Sequence, residues 1–144
     1  GIIPIKRGEV DLAAFDKAKK ALGEGKMLAI APEGTRSGDG VLKKGHQGIV
    51  LLAMRANSPI LPIAYYGHEH FWKNLRSLRR SDYFIKVGKP FRLNAGNVRL
   101  GPEVRQQMLD EIMYQIAALM PEKYRGLYSD MSKATTQYLE FLPE

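Results

Sequence analysis

The first 65 residues alternate short apolar runs with stretches of helical period, and this alternation restricts the possible folds more than any other feature of the chain. Ile2 to Ile5 is a short apolar run in which Pro4 weakens a strand or sends it to a sheet edge. From Asp11, a fitting N-cap, Leu12, Phe15, Ala18 and Leu22 recur at helical spacing, with Lys17, Lys19 and Lys20 on the other side and Gly23 and Gly25 as the stop. Met27 to Ala31 reads as a buried strand, Pro32 to Gly45 as a glycine-rich loop. Ile49, Leu52, Ala53 and Ala56 then fit a helix ending near Asn57-Ser58-Pro59, and Ile60 to Tyr65 gives the next strand. Strand, helix, strand, helix, strand predicts an α/β fold, a mainly parallel sheet with crossover helices. In such a sheet Arg7, the Glu33 to Ser37 segment and the Tyr65 to His68 segment all emerge at the carboxyl edge, where open α/β sheets keep their ligand crevices.

Further on, Tyr83 to Val87 reads as a strand. Pro102 to Leu119 reads as an amphipathic helix with Val104, Met108, Ile112, Ile116 and Leu119 on one stripe. A last helical piece is expected within Met131 to Leu142. A chain of 144 residues, 44% hydrophobic, suffices for one globular core. Its longest unbroken apolar run, Ile49 to Met54, is far short of the roughly 20 residues of a spanning helix. The chain opens at Gly1 with no initiator methionine, and Ile2-Ile3-Pro4-Ile5 already reads as a domain interior, so the start of the domain is expected to lie before it.

Glu33-Gly34-Thr35-Arg36 closes the second apolar run with phosphate-binding equipment. A glycine past a strand lets the backbone approach a ligand, Thr35 offers a hydroxyl, and Arg36 a planar fork that matches phosphate oxygens. Glu33 sits awkwardly there, since two like charges about 4 Å apart at an effective dielectric near 20 repel by roughly 4 kcal/mol. It must be neutralised by an arginine such as Arg36 or Arg7, or accept a hydrogen bond from a ligand hydroxyl. The same four residues also fit a surface turn with a local ion pair. Lys44, and less so Lys43, could add positive charge to the crevice.

Other chemistries are poorly supported. There is no Gly-x-x-x-x-Gly-Lys-Ser/Thr spacing, and Ser37 is not in a Gly-x-Ser-x-Gly elbow. His68-Glu69-His70 could pinch a metal from one side of a strand, but no third ligand group accompanies it, and no metal is expected. His46, between Gly45 and Gln47, reads first as a helix-start residue. The absence of cysteine excludes a disulfide framework, a thiolate metal site and a cysteine nucleophile. A formal charge of +7 favours an anionic partner. The run Phe71 to Arg80 has four basic residues, no acid, and Phe71, Leu75 and Leu78 on one helical face. It reads first as a solvated loop or helix over the core, and second as a segment that meets a membrane surface or an acidic carrier. Nucleic acid is not expected, because the basic run carries no aromatic residues beyond Phe71 and Trp72 on which bases could stack.

Ala31-Pro32-Glu33-Gly34-Thr35-Arg36-Ser37 resembles the Phe-Pro-Glu-Gly-Thr-Arg-Ser block of the glycerolipid acyltransferases, the 1-acylglycerol-3-phosphate acyltransferase group, with Ala31 in place of the phenylalanine. Gly1-Ile2-Ile3-Pro4-Ile5-Lys6-Arg7 is similar to the preceding Gly-x-x-Phe-Ile-x-Arg block, and Leu61-Pro62-Ile63 to the later Val/Ile-Pro block. The resemblance implies that residues 1–144 are the C-terminal part of a single acyltransferase domain. It implies acyl transfer from acyl-CoA or acyl carrier protein to a lysophosphatidate-like lipid, with no bound cofactor, at the cytoplasmic face of a membrane. Glycerol 3-phosphate or another lipid acceptor uses the same blocks. Arg7, Glu33, Gly34, Thr35 and Arg36 would hold the acceptor's glycerol phosphate. The family's base is the histidine of a His-x-x-x-x-Asp block, its orienting partner the aspartate. Five residues after His46, His68 and His70 stand Leu51, Lys73 and Leu75, so both catalytic residues are expected before Gly1 and the chain as given is expected to be inactive. A non-catalytic remnant that binds anionic lipid or phosphate is the alternative of another class.

Overall fold

The computed structural model describes residue 3 and residues 12–34, 38–67, 71–80 and 82–143. The Ile2 to Ile5 strand, but for Ile3, and the Asp11 cap lie outside them, as does the His68-Glu69-His70 triplet. The elements in chain order are helices α1 (Leu12–Gly23) and α2 (Gly48–Ala56), strand β1 (Ile63–Tyr66), helix α3 (Phe71–Arg76), strands β2 (Phe84–Val87) and β3 (Phe91–Leu93), helix α4 (Pro102–Ala118), three short 3-10 turns (Glu122–Tyr124, Gly126–Tyr128, Met131–Lys133) and strand β4 (Leu139–Phe141).

Local chemistry accounts for the helix limits. At the end of α1 the N–H groups of Gly25 and Lys26 donate to the carbonyls of Leu22 and Ala21, the paired closure that a residue in the left-handed region allows. α2 ends the same way on Asn57, whose φ is 46°, with Ser58 N–H reaching back to Ala53 O. α4 opens on an extended Gly101 with Pro102 in its first turn and Glu103 behind it, the proline and acid that a helix start favours. The expected stripe on α1 is shifted: Ala14 and Ala18 are buried and Leu12 is exposed, while Arg55 of α2 sits over the Phe15 ring, 5.3 Å from its centroid.

α4 is the centre of the molecule. Met108, Leu109, Ile112, Met113 and Ala117 have no exposure at all, so it is buried well beyond the single stripe expected of it. Each of the four larger side chains stabilises the fold by about 1.5–3 kcal/mol relative to an exposed one. Around it lie Leu42, Val50, Ala64, Tyr66, Phe91, Tyr124, Tyr128 and Tyr138.

The mixed α/β character holds, but the described strands do not form a parallel sheet. β1 pairs antiparallel with β2, Ile63 opposite Val87, and β3 antiparallel with β4, Phe91 opposite Phe141. An antiparallel Ile60–Phe91 bridge joins the two pairs. Met27 to Ala31, expected to be a buried strand, is irregular, with Met27 98% exposed. An apolar run becomes a strand only where a neighbour offers a ladder of N–H and C=O groups, and none of the described strands lies against it. The helix expected within Met131 to Leu142 is instead a 3-10 turn followed by β4. In the basic run, α3 stops at Arg76. Leu78 lies beyond it, 95% exposed with φ 50°, so it does not share a helical face with Leu75. Among the described residues no helix is long and apolar enough to cross a membrane.

Candidate functional site

Pro32 fixes the first corner of a tight turn, Ala31–Gly34, closed by Gly34 N–H donating to Ala31 O at 3.0 Å. Gly34 leaves this turn at φ 65°, which a side chain would strain. The imidazole of His46 lies against the open side of the glycine: a Cβ there would stand 3.1 Å from Cδ2 and 3.3 Å from Nε2. Two further bonds join the turn to the strip Lys43–His46. His46 N–H donates to Pro32 O at 2.9 Å, and Lys43 N–H donates to Glu33 Oε2 at 2.7 Å.

Glu33 meets part of its charge problem through the backbone, while Arg7 and Arg36, the arginines expected beside it, lie outside the described residues. Its carboxylate, half-buried, accepts from the backbone of Lys43. Burial raises its pKa above the usual carboxylate range. The Lys43 N–H and ammonium pull the other way, and Asp39 adds a smaller upward push.

The strip that carries the turn is in turn laid on α4 and the chain that follows it. Leu42 is buried and its N–H donates to Tyr124 O at 2.8 Å. Gly45 passes so close to α4 that a Cβ would stand 2.9 Å from both Leu109 Cδ1 and Met113 Sδ. Its N–H donates to the Tyr128 hydroxyl at 3.4 Å. Asp39 Oδ1 accepts from Val41 N–H at 3.1 Å and shapes the approach to the strip.

Of the residues singled out in the sequence, Glu33 and Gly34 are brought together with Lys43 and His46. Arg7, Thr35 and Arg36 lie outside the described residues. Lys44 is exposed and lines an open cleft of about 710 Å³ with Glu103, Asp110, Tyr114, Tyr128 and Lys133, a mixed-charge surface of α4 rather than the turn itself. With no parallel pair among the described strands, it is the strip rather than a shared carboxyl edge that positions Glu33 and Gly34. Sequence reasoning set His46 aside as a helix-start residue, although its place directly after Lys43-Lys44-Gly45 could have tied it to the loop. Tyr128 left no local signal, being 83 residues from the backbone group it meets. The described part of the site can present a fixed backbone turn, a tethered carboxylate, an imidazole and lysine charge to an anionic or hydroxyl-bearing ligand.

A family model described as Acyltransferase matches residues 1–66. A 1-acyl-sn-glycerol-3-phosphate acyltransferase of Borreliella burgdorferi is 32% identical over 78 residues, which cover 52% of this chain and 31% of that protein. The chain thus spans less than a third of the length of this relative. No solved structure matches the chain.

Proposed function

We propose that this chain, which matches the acyltransferase family model over residues 1–66, forms the acceptor side of an enzyme that acylates a lysophosphatidate-like lipid. The acyl donor is a thioester of coenzyme A or of acyl carrier protein. The acceptor hydroxyl attacks the thioester carbonyl, the C–O bond forms, the C–S bond breaks, and the hydroxyl proton leaves through a base while the thiolate departs as thiol. Arg7, Glu33, Gly34, Thr35 and Arg36 hold the glycerol phosphate, with Lys44 adding positive charge nearby. Acceptor and product are membrane lipids, so the reaction is assigned to the cytoplasmic surface of a membrane.

The observation that carries this reading is the Glu33–Gly34 turn, tied at three points to the Lys43–His46 strip inside the segment that matches the family. Tethering holds the motif's backbone in one geometry before a ligand arrives, which lowers the cost of binding. None of His46, His68 and His70 is followed five positions later by aspartate, so the reading assigns the base and its orienting aspartate to chain outside these residues. This same fact favours one second reading, a chain that binds phosphate or anionic lipid without turnover.

One experiment separates them. In the full natural polypeptide, acylation of lysophosphatidate is measured against both substrates, with Arg36→Ala beside the unsubstituted protein. A KM for the phosphorylated acceptor raised by roughly tenfold or more, as loss of a charged hydrogen bond implies, with a much smaller change for the thioester, supports the acceptor role. Equal effects on both substrates would argue against it, and phosphate-dependent lipid binding with no transfer at all would favour the second reading. The 144 residues alone are expected to show no transfer above background.

A further inference from the structure

The turn is braced from a part of the chain that the family match does not reach. That match ends at residue 66, yet the strip under the turn rests on the two 3-10 turns Glu122–Tyr124 and Gly126–Tyr128. Gly126, at φ 53°, meets the strip so closely that a Cβ would collide with the carbonyl oxygen of Leu42. The same residue is held from its other side, where Leu42 N–H donates to Tyr124 O. Tyr128 completes the brace with a side chain. It is buried, its ring stands edge-on to Tyr114 at 5.3 Å, and its hydroxyl accepts the N–H of Gly45, whose neighbour His46 holds the turn through Pro32 O. Burial raises the phenol's pKa most, the Gly45 N–H pulls it down, and Asp110, Tyr114 and, least of all, Glu33 add smaller upward effects.

We infer that Tyr128 is a positioning residue for the Glu33–Gly34 turn, acting through the N–H of Gly45 and the strip Lys43–His46. The path is short and continuous: Tyr128 Oη to Gly45 N–H, Gly45 to His46, His46 N–H to Pro32 O, and the His46 ring to the face of Gly34. Gly45 cannot settle deeper when the hydroxyl is removed, because Leu109 and Met113 already stand against it. Its N–H would then lack an acceptor in a buried place, and the strip would have to shift outward to wet it. The role in acceptor binding rests on the reading of the turn given above, whereas the brace itself does not.

Tyr128→Phe keeps the ring and removes only the oxygen, and Tyr114→Phe makes the same deletion on the partner ring as a control. Two readouts keep the brace and the acceptor reading apart. In Tyr128→Phe, amide hydrogen exchange at Gly45 and His46 is expected to rise several-fold, while in Tyr114→Phe it stays at the unsubstituted rate. Unchanged exchange in Tyr128→Phe, or equal acceleration in both variants, overturns the brace. In the full natural polypeptide, Tyr128→Phe is then expected to raise the KM for lysophosphatidate and the Kd for sn-glycerol 3-phosphate by about threefold to tenfold, the range of one hydrogen bond. kcat and the KM for the thioester should stay within about twofold, a split that general loosening of the fold would not produce. Faster exchange with both acceptor constants unmoved would uphold Tyr128 as the brace of the turn and overturn the assignment of that turn to the acceptor.

Discussion

Glu33 pairs a raised pKa with a firm hydrogen bond, and the two together set a sign for the pH dependence of stability. Below the unfolded pKa of about 4.3 the carboxyl is protonated in both states, and whatever the fold gains by keeping it neutral is fully present. As pH rises through the raised folded pKa that contribution is lost, because burial penalises the ion more than Lys43 compensates it. Glu33→Gln keeps an oxygen for the Lys43 N–H and cannot ionise. The melting temperature of this variant relative to the unsubstituted chain should therefore be higher at pH 7 than at pH 4. An offset that is identical at both pH values would mean that Glu33 ionises as easily folded as unfolded. The residue types at this site were legible: Pro32, Glu33 and Gly34 announced a turn with a charge to satisfy. Its partner was not, because the Lys43 N–H is a backbone group that any residue ten positions on could supply.

α4 organises the C-terminal part of the chain by a carboxylate rather than by apolar contact alone. Glu111 is 1% exposed and accepts from Thr135 Oγ1 at 2.7 Å, Gln137 N–H at 2.9 Å and Tyr138 N–H at 2.9 Å. These bonds draw residues 135–138 onto the helix and deliver Leu139 to Phe141 as β4 beside β3. Glu111→Ala leaves the buried Tyr138 N–H, the partly buried Gln137 N–H and the Thr135 hydroxyl without this acceptor and should cost about 3 kcal/mol. The cost is read as a lower urea midpoint at unchanged slope, with faster amide exchange at Gln137 and Tyr138. A loss under about 0.5 kcal/mol would show that water replaces the carboxylate without penalty. The helices α2 and α4 were legible within about two residues, since their 3.6-residue period is written into adjacent positions. The Met131 to Leu142 segment was misread as helix because the group that decides it, Glu111, lies 24 to 27 residues upstream.

At the scale of the whole molecule the charge is formally +7, but the most marked surface is apolar. Alternation along β1 buries Ala64 and Tyr66 and turns Ile63 and Tyr65 outward, opposite Val87 and Ile85. Leu61, Ile63, Tyr65, Tyr83, Ile85 and Val87 are each at least half exposed. An apolar surface of this kind binds hydrophobic dyes. The double variant Ile63→Thr with Ile85→Thr should reduce dye binding by roughly a third, in proportion to apolar area. It should move the urea midpoint by no more than about 0.5 kcal/mol in stability terms, as exposed positions allow. Dye binding that does not fall would show that the face is covered in solution. By itself the sequence determined the helices α1, α2 and α4, the strands at Ile63 and Phe84, the turn at Pro32–Gly34 and the acyltransferase resemblance, because each is encoded in neighbouring residues. The tertiary structure alone decided the antiparallel pairing, the Lys43 backbone as partner of Glu33, and the Tyr128 and Glu111 braces. Ladder partners and buried hydrogen bonds are chosen by whichever distant segment packing brings within about 3 Å, and no local pattern records that choice.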